Sequence, residues 1–203
     1  MHDTMPFSPD FTQLFQVASG QLGYFTAAQA RDHGITKTLL NYHVQKGKII
    51  RVYRGVYRFR DYPSTPREEV AAAWLAVGKE HAVVSHESAL DLLEISDVIP
   101  NAIDITVPRS RRYLVPPTGI TLHTSTRPFQ ATDITYRNGI KMTSPTRTIV
   151  DVAEAGTSEE HVERAVAEAL EIGVTSPQRL GAAAAERSQR VRRMIERAIA
   201  MAA

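Results

Sequence analysis

Between Thr36 and Arg60 the chain carries seven basic side chains, Lys37, Lys46, Lys48, Arg51, Arg54, Arg58 and Arg60, and no Asp or Glu. Duplex DNA presents about one phosphate charge per 1.7 Å of its axis, so a protein that binds it needs several Lys and Arg on one face, with side chains beside them that reach base edges. An ordinary solvated basic face is the other reading of such a block. The helical pattern after Gly34 supplies both kinds of side chain. It sets Leu39, Leu40 and Val44 on one side and Lys37, Thr38, Asn41, Tyr42 and Gln45 on the other. Asn and Gln can form paired hydrogen bonds with adenine in the major groove, which makes this the expected recognition helix; a merely polar exposed face is the alternative. Lys46 and Lys48 close the helix. Arg51, Arg54 and Arg58 surround Gly55 in the run that follows, and are expected on backbone phosphate or in the minor groove, unless they only solubilise a hairpin edge.

Other chemistry is harder to find. His86-Glu87-Ser-Ala-Leu90 begins like a zincin motif but has Leu where the second histidine ligand must stand one turn on, so His86 and Glu87 are expected to open a helix capped by Ser85. No Gly-Ser pair occurs, so a nucleotidyltransferase motif of that type is missing. Neither Gly47-Lys48 nor Gly78-Lys79 completes a phosphate-binding loop, and there is no G-x-S-x-G elbow. His123 stands alone after a short strand. With no cysteine in the chain, thiolate zinc sites, cysteine nucleophiles and disulfides are excluded. No catalytic residue, metal or cofactor is therefore expected. Arg147 and Asp151 are spaced for an intrahelical ion pair. Arg109, Arg111 and Arg112 form a basic loop, suited to DNA, an acidic partner or water alike. Arg190, Arg192, Arg193 and Arg197 lie opposite an apolar stripe of Val191, Met194, Ile195 and Ala198, which packs on its own domain or on a partner.

Those residues need elements to hold them. Phe11, Leu14, Phe15 and Ala18 recur at helical spacing; Thr26 caps a helix over Ala27 to Asp32, with Gly34 as its left-handed stop; Thr36 caps the helix that ends at Lys46-Gly47. The β-branched and aromatic runs Ile49 to Tyr53 and Val56 to Phe59, split by Arg54-Gly55, predict a hairpin. Helix, helix, turn, helix, hairpin is the order of a winged helix-turn-helix. The turn formers of Asp61-Tyr-Pro63-Ser-Thr-Pro66 suggest a domain break, giving a DNA-binding domain over 1–62 and a second domain over 67–203. The second domain reads as a helix from Arg67 to Val77, a strand at Ala82 to Val84, a helix from Glu87 to Leu93, and strands at Ala102 to Val107, Ile120 to His123, Asp133 to Tyr136 and Ile140 to Met142. Asn138-Gly139 marks a hairpin turn. Helices follow over Thr146 to Ala155, Ser158 or Glu159 to Ile172, and Pro177 to Met201, the last open to a break at Gly181. The fold class is α+β: an N-terminal winged helix-turn-helix, then a mixed domain with a small antiparallel sheet and C-terminal helices.

A chain of 203 residues with 43% hydrophobic content can bury a core in one large or two small domains. Its net charge of +2 says little, because the charge is unevenly placed. Met-His-Asp-Thr-Met-Pro at the start lacks the pattern of an export signal, and the run Val70 to Val77 is too short to span a bilayer. A cytoplasmic protein with no membrane contact is expected.

Phe25-Thr-Ala-Ala-Gln-Ala30, Leu39-Leu40 and Gly47-Lys-Ile-Ile-Arg-Val-Tyr-Arg-Gly-Val-Tyr57 resemble the N-terminal winged helix of AbiEi-type antitoxins, with its basic G-x-I-x-R-V-x-R-G-V-Y wing. Val84-Ser-His-Glu-Ser-Ala-Leu90, Ile103-Asp-Ile-Thr-Val107 and Thr143-Ser-Pro-Thr-Arg-Thr-Ile-Val-Asp151 are similar to the domain that follows in the same family. The resemblance covers most of residues 20 to 155. It implies a bipartite antitoxin whose N-terminal domain binds inverted repeats in its own promoter and represses its operon, and whose C-terminal domain counteracts a cognate nucleotidyltransferase toxin. A stand-alone winged-helix regulator that senses a ligand or dimerises is the alternative. A related architecture appends a nuclease domain; this chain ends in alanine-rich helices with no strand-borne acidic cluster after Asp151. The oligomeric state is left open.

Overall fold

A computed structural model describes residues 8–202 and divides the chain into two compact units. The first holds residues 8–80 with 138–140, the second residues 81–137 and 141–202. The N-terminal hexapeptide considered above for an export signal lies outside the described residues. Among those described, no helix is long and apolar enough to cross a membrane.

In the first unit, helices α1 (Phe11–Ser19), α2 (Ala27–Asp32) and α3 (Lys37–Gln45) alternate with strands β1 (Tyr24–Thr26), β2 (Ile49–Tyr53) and β3 (Val56–Phe59). Side chains start the helices. The Asp10 carboxylate accepts the Gln13 N–H at 2.8 Å, Thr26 Oγ1 that of Gln29 at 3.1 Å, and Thr36 Oγ1 that of Leu39 at 3.2 Å, each satisfying an amide that the first helical turn leaves bare. At Thr26 the Gln29 side chain returns a bond to the Thr26 N–H, completing a capping box. Leu14, Phe25, Ala30, Ile35, Leu40, Ile49 and Tyr57 close into one core.

The three strands lie in the order β1-β3-β2, both pairs antiparallel. The hairpin turns at Gly55, whose φ of +79° favours glycine. β1 went unrecognised in the sequence because it is three residues directly ahead of the Thr26 cap, and its partner strand β3 lies some thirty residues on. It turns the two-stranded wing into a sheet whose middle strand is β3.

The break expected between residues 62 and 67 falls instead after Glu80. Helix α4 (Glu69–Val77) belongs to the first unit: Val70, Trp74, Leu75 and Val77 are buried, and the helix packs against β1, β2 and β3.

The second unit contains β4 (Val83–Val84), α5 (His86–Leu93), β5 (Ile103–Pro108), β6 (Ile120–Ser125), β7 (Ile134–Arg137) and β8 (Ile140–Thr143), then α6 (Pro145–Ala155), α7 (Glu159–Glu171), α8 (Pro177–Ala185) and α9 (Gln189–Met201). The sheet order is β6-β5-β4-β8-β7. β4 and β5 form an antiparallel pair, while β5 with β6, and β4 with β8, run parallel. The helices bury Ile149, Val152, Val162, Val166, Leu180 and Ile195 in a common core. The last helical stretch breaks at Glu186-Arg187-Ser188, where Ser188 Oγ accepts the Val191 N–H and restarts the helix; Gly181 stays helical. Val191, Met194, Ile195 and Ala198 are buried in this unit. Two α9 arginines reach helix ends: Arg190 donates to the carbonyls of Ala153 and Glu154 at 2.7 and 3.1 Å, and Arg192 to that of Ala185 at 3.1 Å. These are orphan acceptors at C-termini, where positive charge is favoured.

Candidate functional site

Helix α3 buries Leu40 and leaves Lys37, Thr38, Asn41, Tyr42, Gln45 and Lys46 exposed, the division that its spacing predicts. Tyr42 is 51% exposed, and its ring lies 5.7 Å from the Lys46 ammonium. Lys48, Arg51 and Arg54 are exposed as well. Among the described residues, no carboxylate pairs with Lys37, Lys46, Lys48, Arg51 or Arg54. Donors and cations thus stand open to water on the helix and the outer part of the hairpin. Arg60, also exposed, is turned to the Gly47 carbonyl.

Arg58 departs from this set. It is only 6% exposed, because β3 is the central strand and Arg58 pairs with Tyr24 of β1 and Ile50 of β2. Its guanidinium donates to the Phe59 and Tyr62 carbonyls at 3.2 and 2.9 Å and meets the Glu68 carboxylate at 3.0 Å. The Thr65 N–H and Ser64 hydroxyl also donate to Glu68, at 3.0 and 3.3 Å. Burial pushes the Glu68 carboxyl up, but these bonds and the Arg58 charge outweigh it and hold the group below its ordinary range. Burial, then the Glu68 charge, raises the Tyr24 phenol to about 12. Arg58 is therefore a structural tie between the wing sheet and the turn before α4, and cannot lie on phosphate as expected.

A second tie escaped the sequence. Gln21, 6% exposed, donates to the Tyr24 carbonyl at 2.9 Å and exchanges amide bonds of 3.0 and 3.2 Å with Gln29. Lys79 donates to the same Gln21 at 3.1 Å. This network fixes the start of α2, the helix that precedes α3. Two glutamines eight residues apart give no local signal of it.

The residues searched for catalysis lie in the second unit. His86 opens α5 with a left-handed φ of +52°. Ser85 does not cap that helix; its Oγ contacts Thr106 Oγ1 at 2.7 Å and His86 Nδ1 at 2.9 Å instead. The His86 ring stacks on His123 at 3.6 Å between centroids, and His123 Nε2 lies 2.8 Å from Asp104. Burial, then the neighbouring His123, pushes His86 down to about 4, so it is neutral at pH 7. Arg147 makes the expected pair with Asp151, at 2.8 and 3.0 Å, and Arg187 adds a contact of 2.5 Å to the same carboxylate. Among the described residues, no three His, Asp or Glu come together to hold a metal ion.

The chain is similar over 94% of its length to a solved structure, the RV2827C protein from Mycobacterium tuberculosis. The two share 14% identity and a TM-score of 0.60, with 76% of that chain covered, a likeness of fold alone. The comparison with curated proteins finds no match. Residues 13–60 match the family model described as "Transcriptional regulator, AbiEi antitoxin", and residues 81–201 that of the "AbiEi antitoxin C-terminal domain". The two matches fall one on each compact unit, and the chain belongs to the AbiEi antitoxin family.

Proposed function

We propose that the first unit binds double-stranded DNA at inverted repeats in the chain's own promoter and represses its operon, while the second counteracts a cognate nucleotidyltransferase toxin. The reading places α3 in the major groove, with Asn41 and Gln45 at base edges and Lys37, Thr38 and Tyr42 beside them. Lys46, Lys48, Arg51 and Arg54 contact the phosphate backbone. It includes no catalytic step and no cofactor, and it places the protein in the cytoplasm.

One observation carries the DNA half: five exposed cations without carboxylate partners among the described residues flank two exposed amide side chains on one helix. Fluorescence anisotropy of the protein on its promoter and on a scrambled duplex, at about 50 and 200 mM salt, tests it. Tight, salt-sensitive preference for the promoter is the expected result; equal weak binding to both removes the assignment. The toxin half rests on family membership. Its test is to express a neighbouring nucleotidyltransferase gene from an unrelated promoter, where co-expression of this chain restores growth. Failure to restore it leaves a regulator without antitoxin action on that gene product.

A further inference from the structure

The second unit has a basic element of its own that the promoter reading does not use. From Ile105 to Thr132 the chain carries Arg109, Arg111, Arg112 and Arg127 and, as between Thr36 and Arg60, no Asp or Glu. The fold brings them to one place. β5 and β6 run parallel, so both strands finish at the same edge of the sheet, with Pro108 of β5 beside Ser125 of β6. A turn of 3₁₀ helix, Arg109–Arg111, leaves β5 there and packs on β6, while Arg127 follows two residues after Ser125.

The loop after β5 is stiff, and its charges are open. The Arg112 N–H donates to the Arg109 carbonyl at 3.1 Å and the Leu114 N–H to the Arg111 carbonyl at 3.0 Å, and Pro116 and Pro117 restrict the return to β6. Arg109, Arg111 and Arg112 are all exposed, and none meets a carboxylate among the described residues; Arg127 pairs with Glu186 at 2.7 Å. Tyr113 beside them is 80% exposed. The Arg112 guanidinium lies 4.3 Å from the Tyr113 ring centroid and donates to its hydroxyl at 2.9 Å, which holds the ring in water among the cations.

Three free arginines fit any polyanion, and the tyrosine narrows the choice. In a duplex the base faces are already stacked on one another, so an exposed ring finds none to cover. An unpaired strand offers phosphates and bare base faces together, the combination that arginines and an aromatic platform recognise. We infer that the β5–β6 loop binds single-stranded nucleic acid, with Arg109, Arg111 and Arg112 on its phosphates and Tyr113 stacked on a base. The inference concerns the second unit and does not depend on duplex binding by the first.

Fluorescence anisotropy of the full chain on labelled uridine and thymidine oligomers of about twenty nucleotides, and on a scrambled duplex of the same length, tests it. Wild type is expected to bind the single strands saturably, and the tighter of the two identifies the source as RNA or DNA. Tyr113→Ala weakens this at least fivefold and Tyr113→Phe preserves it, while neither changes affinity for the duplex. Arg109→Ala/Arg111→Ala/Arg112→Ala weakens it at least tenfold and lowers its salt slope by about 0.7 for each phosphate no longer neutralised. The side chains changed are exposed, so each variant keeps the fold, checked by circular dichroism and melting temperature. Absence of saturable single-strand binding overturns the inference, as does affinity that survives in Tyr113→Ala. Equal losses on strand and duplex overturn it too, by assigning the loop to phosphate alone. Displacement of the strand by poly-glutamate as readily as by unlabelled oligomer would make an acidic protein the partner, and loss confined to Arg51→Ala/Arg54→Ala would place the strand on the wing.

Discussion

Arg51 and Arg54 stand in water at the end of the wing hairpin, and Arg58 sits under it with its guanidinium closed off by Glu68 and two carbonyls. The same charge does different work in the two places. Arg51→Ala/Arg54→Ala is expected to weaken binding to every duplex and to flatten the slope of log K against log salt by about 0.9 for each phosphate that is no longer neutralised; an unchanged slope removes the wing from the DNA. Arg58→Met leaves Glu68 partly buried beside unfilled acceptors, and is expected to cost about 2–4 kcal/mol in urea unfolding. The salt slope of the protein that remains folded should match wild type. Asn41→Ala or Gln45→Ala should cost roughly 1–3 kcal/mol on the promoter and nothing on random DNA, because only base-edge bonds distinguish the two. Equal losses on both would assign these side chains to backbone.

The elements that aim α3 are set by short-range bonds, and here the strongest prediction is at its cap. Thr36→Ala removes the acceptor for the Leu39 amide and is expected to destabilise the protein by about 1 kcal/mol. Thr36→Asp, which restores an acceptor beside the positive helix start, should recover it; identical unfolding midpoints for Thr36→Ala and wild type would show that the bond contributes nothing. Caps, glycine stops and hairpin turns are local, which is why α1, α2, α3, β2 and β3 could be read from the residues themselves. The failures are non-local. β1 is defined only by its pairing with β3, and α4 is so evenly apolar that its sequence does not say which core it joins. Arg58 alternates in sequence like a surface residue, but the Tyr24 ring and the Glu68 carboxylate, both distant in the chain, close over its side chain. Type and spacing predicted which side chains of α3 and the wing are exposed; they could not show that Arg58 is buried. The second Asp151 partner, Arg187, and the stacking of His86 on His123 join segments far apart in the chain.

At the scale of the whole molecule, two units with separate cores match two family models, so a perturbation within one should be read in that unit's stability. His86 offers such a perturbation. Its ring is largely buried beside His123 and Arg147, which disfavour its charge, while Asp104 and Asp151 only partly offset them. The folded state holds it down at about 4, against an ordinary value near 6.5 when unfolded. Between those values the unfolded chain binds the extra proton, so stability rises with pH across this window and is fully present only above it. Lowering the pH from 7 to 5 should therefore cost about 2 kcal/mol through this group alone, lost as the pH falls below 6.5. His86→Asn keeps a residue type that tolerates the left-handed φ at this position and removes the titration. Urea unfolding of both proteins at pH 5 and 7 measures the difference: the wild type is expected to lose more than the variant by that amount. Equal losses would mean that His86 takes up its proton without unfolding the stack, and that the contact with His123 is not what holds this unit together at neutral pH.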